Sequence, residues 1–367
     1  MALDDVTALA AELVAIDSVN PDLIAGAAGE EGVARHVAAW CAAAGLDVVV
    51  DEAAPGRPNV VAVARGSGGG RSLLLNAHTD TVGVAGMSAP FSASIRKGQL
   101  YGRGAYDMKG SLAAAMVATA RARHLGLRGD VILAAVVDEE VGSIGTERLL
   151  ESTRADAAIV AEPTELRVCV AHKGFLGFEI EVKGRAAHGS RPDLGIDAIA
   201  RMGHVLVRLE TLDAGLRSAS GHPLLGTGSL HASLIEGGQE YSSYPARCLL
   251  TGERRLIPGE TRSQVEEELG CLLEGIDGSA RLTFGRDPLE TDPRAEIVGL
   301  ALKHTGALGV HGVPFWTDAA LLSEAGIPTV VLGPAGDGAH GEVEWVDVSS
   351  LERCAKIYLA IAGELCS

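Results

Sequence analysis

No two of the six cysteines (Cys41, Cys169, Cys248, Cys271, Cys354, Cys366) stand at a C-x-x-C or similar spacing. A disulfide framework is therefore not expected in a chain of 367 residues; reduced, mostly buried thiols are. Basic charge is short as well: 31 Lys and Arg face 48 Asp and Glu, a formal −17. That balance argues against nucleic acid as a partner, since nucleic acid is held through a basic face. No uncharged apolar run approaches the ~20 residues that cross a bilayer, so no membrane partner is expected. The opening "MALDDVTALAAEL" is acidic and amphipathic, and no signal peptide is read there. Repeats and low-complexity tracts are absent too, and "GSGGG" at 66–70 is a turn between strands. A cytoplasmic enzyme or binding protein is left, long enough for two domains that each bury a core.

What is present alternates. "VTALAAELVAI" and "EEGVARHVAAWCAAAG" carry helical spacing, the second closing on Gly45. "LDVVVDE", "NVVAVARG" and "SLLLNAHTD" are short apolar strands, and "KGSLAAAMVATARARHLG" is an alanine-rich helix. "DVILAAVVDEE", "AAIVAEP" and "IPTVVLGP" are continuous apolar runs of the kind buried central strands show. The class is α/β, a mixed sheet with helices on its faces. Residues 175–286 change rhythm: "FLGFEIEVKG" alternates, and helices and strands follow in the order β-α-β-β-α-β of a ferredoxin-like unit. The expected organisation is a catalytic, metal-binding domain of residues 1–174 and 287–367, with 175–286 inserted as a lid and "DPLETDP" as the return linker.

Ligands of open α/β sheets bind beyond the carboxyl ends of the strands. His78 closes one apolar run with Asp80 two residues on, Asp138, Glu139 and Glu140 close another, and Glu162 a third. A glycine loop after the fourth leads to His340, and Asp107 sits in "LYGRGAYDMKG" just before a helix. So many acids in one crevice would raise one another's pKa unless a cation neutralised them. A His and carboxylate set without thiolate suits Zn²⁺, with Co²⁺ or Mn²⁺ as alternatives. Two ions ~3.5–4 Å apart, sharing a carboxylate, would use all five groups, and Asp107 is the natural bridge. Alone, each residue has a plainer reading: Asp107 as a helix cap, the histidines as structural, the "EE" pair as solvated. A dinucleotide loop at "GRGAYD" fits poorly, because Asp107 stands where the pyrophosphate would lie.

"LLLNAHTDTV", "LYGRGAYDMKG", "VVDEEVGS", "AEPT", "GRAAHGSRPDLGIDAI", "RRLIPGE", "TDAALLSEAGIPTVVLGP" and "AHGEVEWV" together resemble the signatures of the M20 metallopeptidase family, in its order and over nearly the whole chain. That family includes acetylornithine deacetylase, succinyl-diaminopimelate desuccinylase, aminoacylase and glutamate carboxypeptidase. The resemblance implies a dinuclear-zinc hydrolase domain with an inserted lid that makes a homodimer. It implies His78, Asp107 and Glu162 on one zinc, and Asp107, Glu140 and His340 on the other. By the same resemblance Asp80 orients His78, Glu139 is the general base, His188 steadies the oxyanion, often across the dimer interface, and Arg255 holds the substrate carboxylate.

Departures bear on the substrate: Ser242 in "YSSYP" replaces a frequent asparagine, and Trp316 precedes "TDAALL". Glu162, where aminopeptidases and dipeptidases tend to have Asp, favours an acylated amino acid. The expected activity is hydrolysis of the amide of an N-acyl-amino acid by a hydroxide bridging two cations. A carboxypeptidase or dipeptidase acting on a short peptide is the alternative, and a non-catalytic amino-acid-binding member comes after it.

Overall fold

The computed structural model describes residues 5–367. Met1–Asp4, on which the expectation of no signal peptide partly rests, lie outside the described residues. The chain divides into two compact units, the first holding residues up to Val170 with Thr291–His311 and Thr317–Ser367, the second holding Ala171–Glu290 and Gly312–Trp316.

In the first unit Val6–Val14 is helical because Asp5 caps it, accepting the Ala8 amide at 3.0 Å, and because Val6, Leu9, Ala10, Leu13 and Val14 make one buried stripe. Glu31–Ala43 buries Val33, Ala34, Val37 and Cys41 and stops ahead of Gly45, whose φ of +77° ends the helix. The strands Asp47–Ala54, Arg57–Ala64, Val131–Val136, Leu73–His78, Ala157–Val160 and Thr329–Val331 lie side by side in that order. The first two pairings are antiparallel and the next three parallel, so the sheet is mixed. Leu73–His78 and Val131–Val136 are buried at every position, which explains why they are apolar apart from Asn76 and His78. Gly110–Ala122 packs between Val6–Val14 and Val348–Leu365 with nearly every side chain buried, and alanine is what such close quarters admit.

A second, smaller sheet of this unit runs in the order Gly336–Asp337, Trp345–Asp347, Gln99–Tyr101, Ser94–Arg96. Its strands of two or three residues are too short to leave a periodic signal. It pairs Trp345 with Tyr101 and Val346 with Leu100, and so joins the loop that carries Asp107 to the loop that carries His340.

The second unit runs Gly174–Lys183, Ala198–Ser218, Ser229–Gly237, Arg247–Leu256, Arg262–Leu272, Gly278–Arg286, which is β-α-β-β-α-β. Its antiparallel sheet has Ser229–Gly237 at one edge, then Arg247–Leu256, Gly174–Lys183 and Gly278–Arg286. Leu176, Phe178, Ile180 and Val182 alternate inward and meet Met202, Val205, Val265 and Leu269 from the two helices. Asp197 caps the first helix, and Thr261 with Gln264 forms a reciprocal capping box on the second. Leu289 and Glu290, expected within a linker, pair with His172 and Ala171 instead.

Candidate metal centre

The carboxyl ends of the parallel strands collect the charged groups. His78 ends Leu73–His78, and Glu162 follows Ala157–Val160 by two residues. After Val131–Val136 the chain turns sharply at Asp138, whose φ is +70°, and delivers Glu139 and Glu140 side by side. Gly145 permits this turn: a Cβ there would collide with the Val137 carbonyl.

Asp107 is not a helix cap. The helix it precedes begins at Gly110 with Lys109 in the cap position and no side-chain cap bond, so the Asp107 carboxylate caps nothing. The two oxygens of its carboxylate face different imidazoles. Oδ1 lies 3.1 Å from Nε2 of His78, and Oδ2 lies 3.3 Å from Nε2 of His340. His78 Nε2 is also 3.5 Å from Glu162 Oε1, and His340 Nε2 is 3.1 Å from Glu140 Oε2. The donor atoms of His78, Asp107 and Glu140 lie within 4.8 Å of one another, and so do those of His78, Glu139 and Glu162.

The electrostatics are those of a site built round positive charge. Burial, with Glu162 as the next cause, pushes the Glu139 carboxyl well above the usual range. Glu162 is raised the same way by burial and by Asp107. Asp107 goes down despite its burial, because His340 and His78 stabilise its anion. His340 is pushed up to about 10 by its bonds to Asp107 and Glu140. One buried oxygen of Glu140, Oε1, has no hydrogen-bond partner among the described residues, an arrangement a bound cation would satisfy. Oxygen and imidazole donors without sulfur fit a divalent ion such as zinc.

Around these groups stand residues that hold them in place. Asp80 offers Oδ1 to the Glu139 amide at 3.1 Å and Oδ2 to the Glu140 amide at 3.2 Å, besides lying 3.5 Å from His78 Nδ1. Its role toward His78 was expected; its grip on the two glutamates was not. Glu344, buried and paired with Arg103, accepts the amide hydrogens of Gly104, Tyr106 and Asp107. Asp318 is buried, accepts from the Thr146 hydroxyl at 2.6 Å, and is pushed up to about 6, chiefly by burial. Position alone flagged Glu344, four residues after His340 in a quoted motif, and Asp318 in another.

His188 and Arg255 belong to the second unit. His188 is exposed and its Nδ1 lies 2.8 Å from the Ser190 hydroxyl. Arg255 donates from Nε to Glu253 at 2.6 Å, and its guanidinium lies 5.6 Å from the centre of the Phe175 ring. Ser242 uses its carbonyl to accept the Gly189 amide, and Trp316 donates to the Asp287 carbonyl while its ring stands edge-on to Phe175 and His172.

The family model of peptidase family M20/M25/M40 matches residues 74–364. The chain belongs to peptidase family M20/M25/M40. Among its M20 relatives, the acetylornithine deacetylase of Myxococcus xanthus is 34% identical over 339 residues, 86% of each chain. Among solved structures it is similar to the aminopeptidase PepT of Bacillus cereus, with a TM-score of 0.79 at 18% identity over 100% of this chain and 99% of that one. A dinuclear metal binding peptidase from the M20 family in Bacillus subtilis superposes with a TM-score of 0.69 at 17% identity, covering 97% and 96%. This M20 chain is accordingly a metal-dependent amide hydrolase with a mixed α/β fold.

Proposed function

We propose that this M20 hydrolase removes the acyl group from an N-acyl-amino acid, with two zinc ions per chain held by His78, Asp107 and Glu162 on one side and Asp107, Glu140 and His340 on the other. The observation that carries the reading is Asp107, whose two oxygens each face a separate imidazole with Glu162 and Glu140 beside them. Similarity to an acetylornithine deacetylase supports the substrate class, as does the glutamate at position 162. Bound divalent ions would supply Lewis acidity, acidifying a water and polarising the carbonyl.

The rest falls to side chains. Glu139, with its proton affinity raised by burial, takes the proton of the attacking water and returns it to the leaving amine. Asp80 holds the His78 ring in one orientation. His188 would steady the oxyanion, and the planar fork of Arg255 would take the substrate carboxylate. A homodimer through the second unit and a cytoplasmic setting belong to the same reading. For the first, the edge strand Ser229–Gly237 leaves one ladder unpaired, with Leu234 and Ile235 exposed on it and Ile199 and Val207 exposed on the neighbouring helix. For the second, none of the six thiols is paired.

The test is a screen of acetyl, formyl, succinyl and glutamyl amino acids, with dipeptides alongside, against protein stripped by chelator and reloaded with zinc. Zinc-restored release of a free amino acid from an acyl derivative is the expected result. Turnover of dipeptides alone would replace the deacylase with the peptidase that the solved structures resemble.

A further inference from the structure

Behind the candidate centre runs a chain of buried polar groups that the proposed chemistry does not use: Glu30, Arg57, Asp138 and Asn20, ending on Asp80. Asn20, Glu30 and Asp80 have no exposed surface at all, and Asp138 and Arg57 keep only 2% and 6%. Arg57 donates from Nε to Glu30 at 2.9 Å, with a second, shorter bond from Nη2 to the same carboxylate. Nη2 also reaches Asp138 Oδ1 at 2.9 Å, and Nη1 reaches Asp22 at 2.5 Å. Asn20 spends one amide hydrogen on Asp138 Oδ1 at 3.0 Å and the other on Asp80 Oδ2 at 2.8 Å. Its carbonyl accepts the Asp22 amide at 2.9 Å, which fixes which end of the carboxamide faces the acids.

Stability alone is a poor reason for this chain, because well-packed apolar side chains commonly serve as well as a buried ion pair. Its geometry has a specific consequence. Asp80 Oδ1 and Oδ2 take the Glu139 and Glu140 amides, and its backbone carbonyl lies 3.0 Å from His78 Nδ1 with Oδ1 at 3.5 Å, so one residue registers three groups of the centre. Asn20 is the side-chain donor that stops this carboxylate from turning. Asp138 occupies the left-handed turn just before Glu139, and Arg57 with Asn20 pins its side chain. Asn20 thus ties both ends of the Asp138–Glu140 turn, the first directly and the second through Asp80, while Arg57 braces the first.

We propose that Asn20 and Arg57 are positioning residues, which fix Asp80 and the Asp138–Glu140 turn and thereby set His78, Glu139 and Glu140 in register. The inference rests on the reading of those three groups as the working centre. It adds two residues from the N-terminal segment and the second strand that touch neither substrate nor ion.

Asn20→Ala and Arg57→Lys test it in the full chain, with thermal melts to confirm folding. Hydrogen exchange of the metal-free protein is the first readout. In Asn20→Ala the peptide holding the Glu139 and Glu140 amides should exchange about 10-fold faster, while the Val131–Val136 strand keeps its protection. Zinc titration is the second, with affinity weakened ~10–100-fold in Asn20→Ala and less in Arg57→Lys, which retains the charge but not the fork. In the screened reaction kcat should fall and KM hold. Unchanged exchange at Glu139 and Glu140 with zinc affinity within about twofold of the parent would overturn the proposal, as would equal acceleration in the Val131–Val136 strand. Should the parent hydrolyse no acyl-amino acid, the functional reading alone would fall, and the exchange and zinc measurements would still decide the positioning.

Discussion

Glu344 accepts the amide hydrogen of Asp107 at 3.1 Å, from a loop 237 residues further along the chain. The same oxygen takes the Tyr106 amide at 2.9 Å, while the other takes Gly104 at 3.0 Å and the Arg103 guanidinium at 2.6 Å. Every group facing this carboxylate is a donor. Glu344→Gln keeps the shape but turns an NH₂ toward one of these donor pairs, and it leaves Arg103 buried without its counter-charge. Breaking a buried pair from one side costs ~3–5 kcal/mol. Urea denaturation should show a loss of that order, and zinc affinity should drop ~10–100-fold as the Asp107 loop loosens. Native zinc affinity in a folded variant would mean that the loop holds its shape unaided.

Glu139 lies close enough to His78 and Glu162 to serve as a ligand instead of a base. Substitution separates the roles. A base replaced by Gln should lower kcat by ~10²–10⁴ with both ions retained. The measurement is metal content by atomic emission beside single-turnover kinetics on Glu139→Gln. Loss of one ion from the variant would exchange the assignments of Glu139 and Glu140.

How much of this was readable beforehand follows from the length and burial of each element. His78 and Glu162 were legible because they end strands of four to six wholly buried residues, where any polar side chain stands out. The α/β class and the β-α-β-β-α-β order came from periodicity that long elements cannot hide. Asp107 was legible as a residue of interest, yet its competing role as a cap fails only because the helix begins at Gly110 with Lys109 in the cap position. Asn20 left no signal, and Glu344 only its place beside His340 in "AHGEVEWV". Each acts through contacts 60 to 241 residues away, by way of strands as short as two residues or no strand at all. The two-residue pairing of Leu289–Glu290 with His172 was lost in a linker for the same reason.

Asp318 gives the stability of the metal-free protein a pH dependence of known sign. Its pKa is pushed up to about 6 from the 3.8 of a free aspartate, by burial first, and Glu139 and Glu162 are raised alongside it. The folded chain therefore binds the Asp318 proton more tightly than the unfolded chain does. That contribution is complete below about pH 4 and is lost as pH rises through about 6, ~3 kcal/mol in all. Asp318→Asn stays neutral throughout, so the variant should gain on the parent across that window and hold a constant lead above it. Urea melts of chelated protein at four pH values measure the difference. A lead that does not change with pH would show Asp318 to be ionised throughout in the folded chain.

The edge strand of the second unit supplies the last expectation. Leu234 is 68% exposed on Ser229–Gly237, whose outer ladder has no partner among the described residues. A lysine there should block pairing between copies, since charge on an edge strand opposes its extension. Light scattering should then find the parent at twice 37.7 kDa and Leu234→Lys at once that mass. If His188 serves the other copy, dimer loss also removes activity, and complementation decides between that cause and misfolding. Mixing His188→Ala with Glu139→Ala creates hybrid dimers in which one site lacks both groups and the other has both. Random exchange makes half the dimers hybrid, so about a quarter of parental activity should return from two inactive proteins. No recovery on mixing would mean that each chain completes its site with its own His188, leaving the interface without a catalytic part.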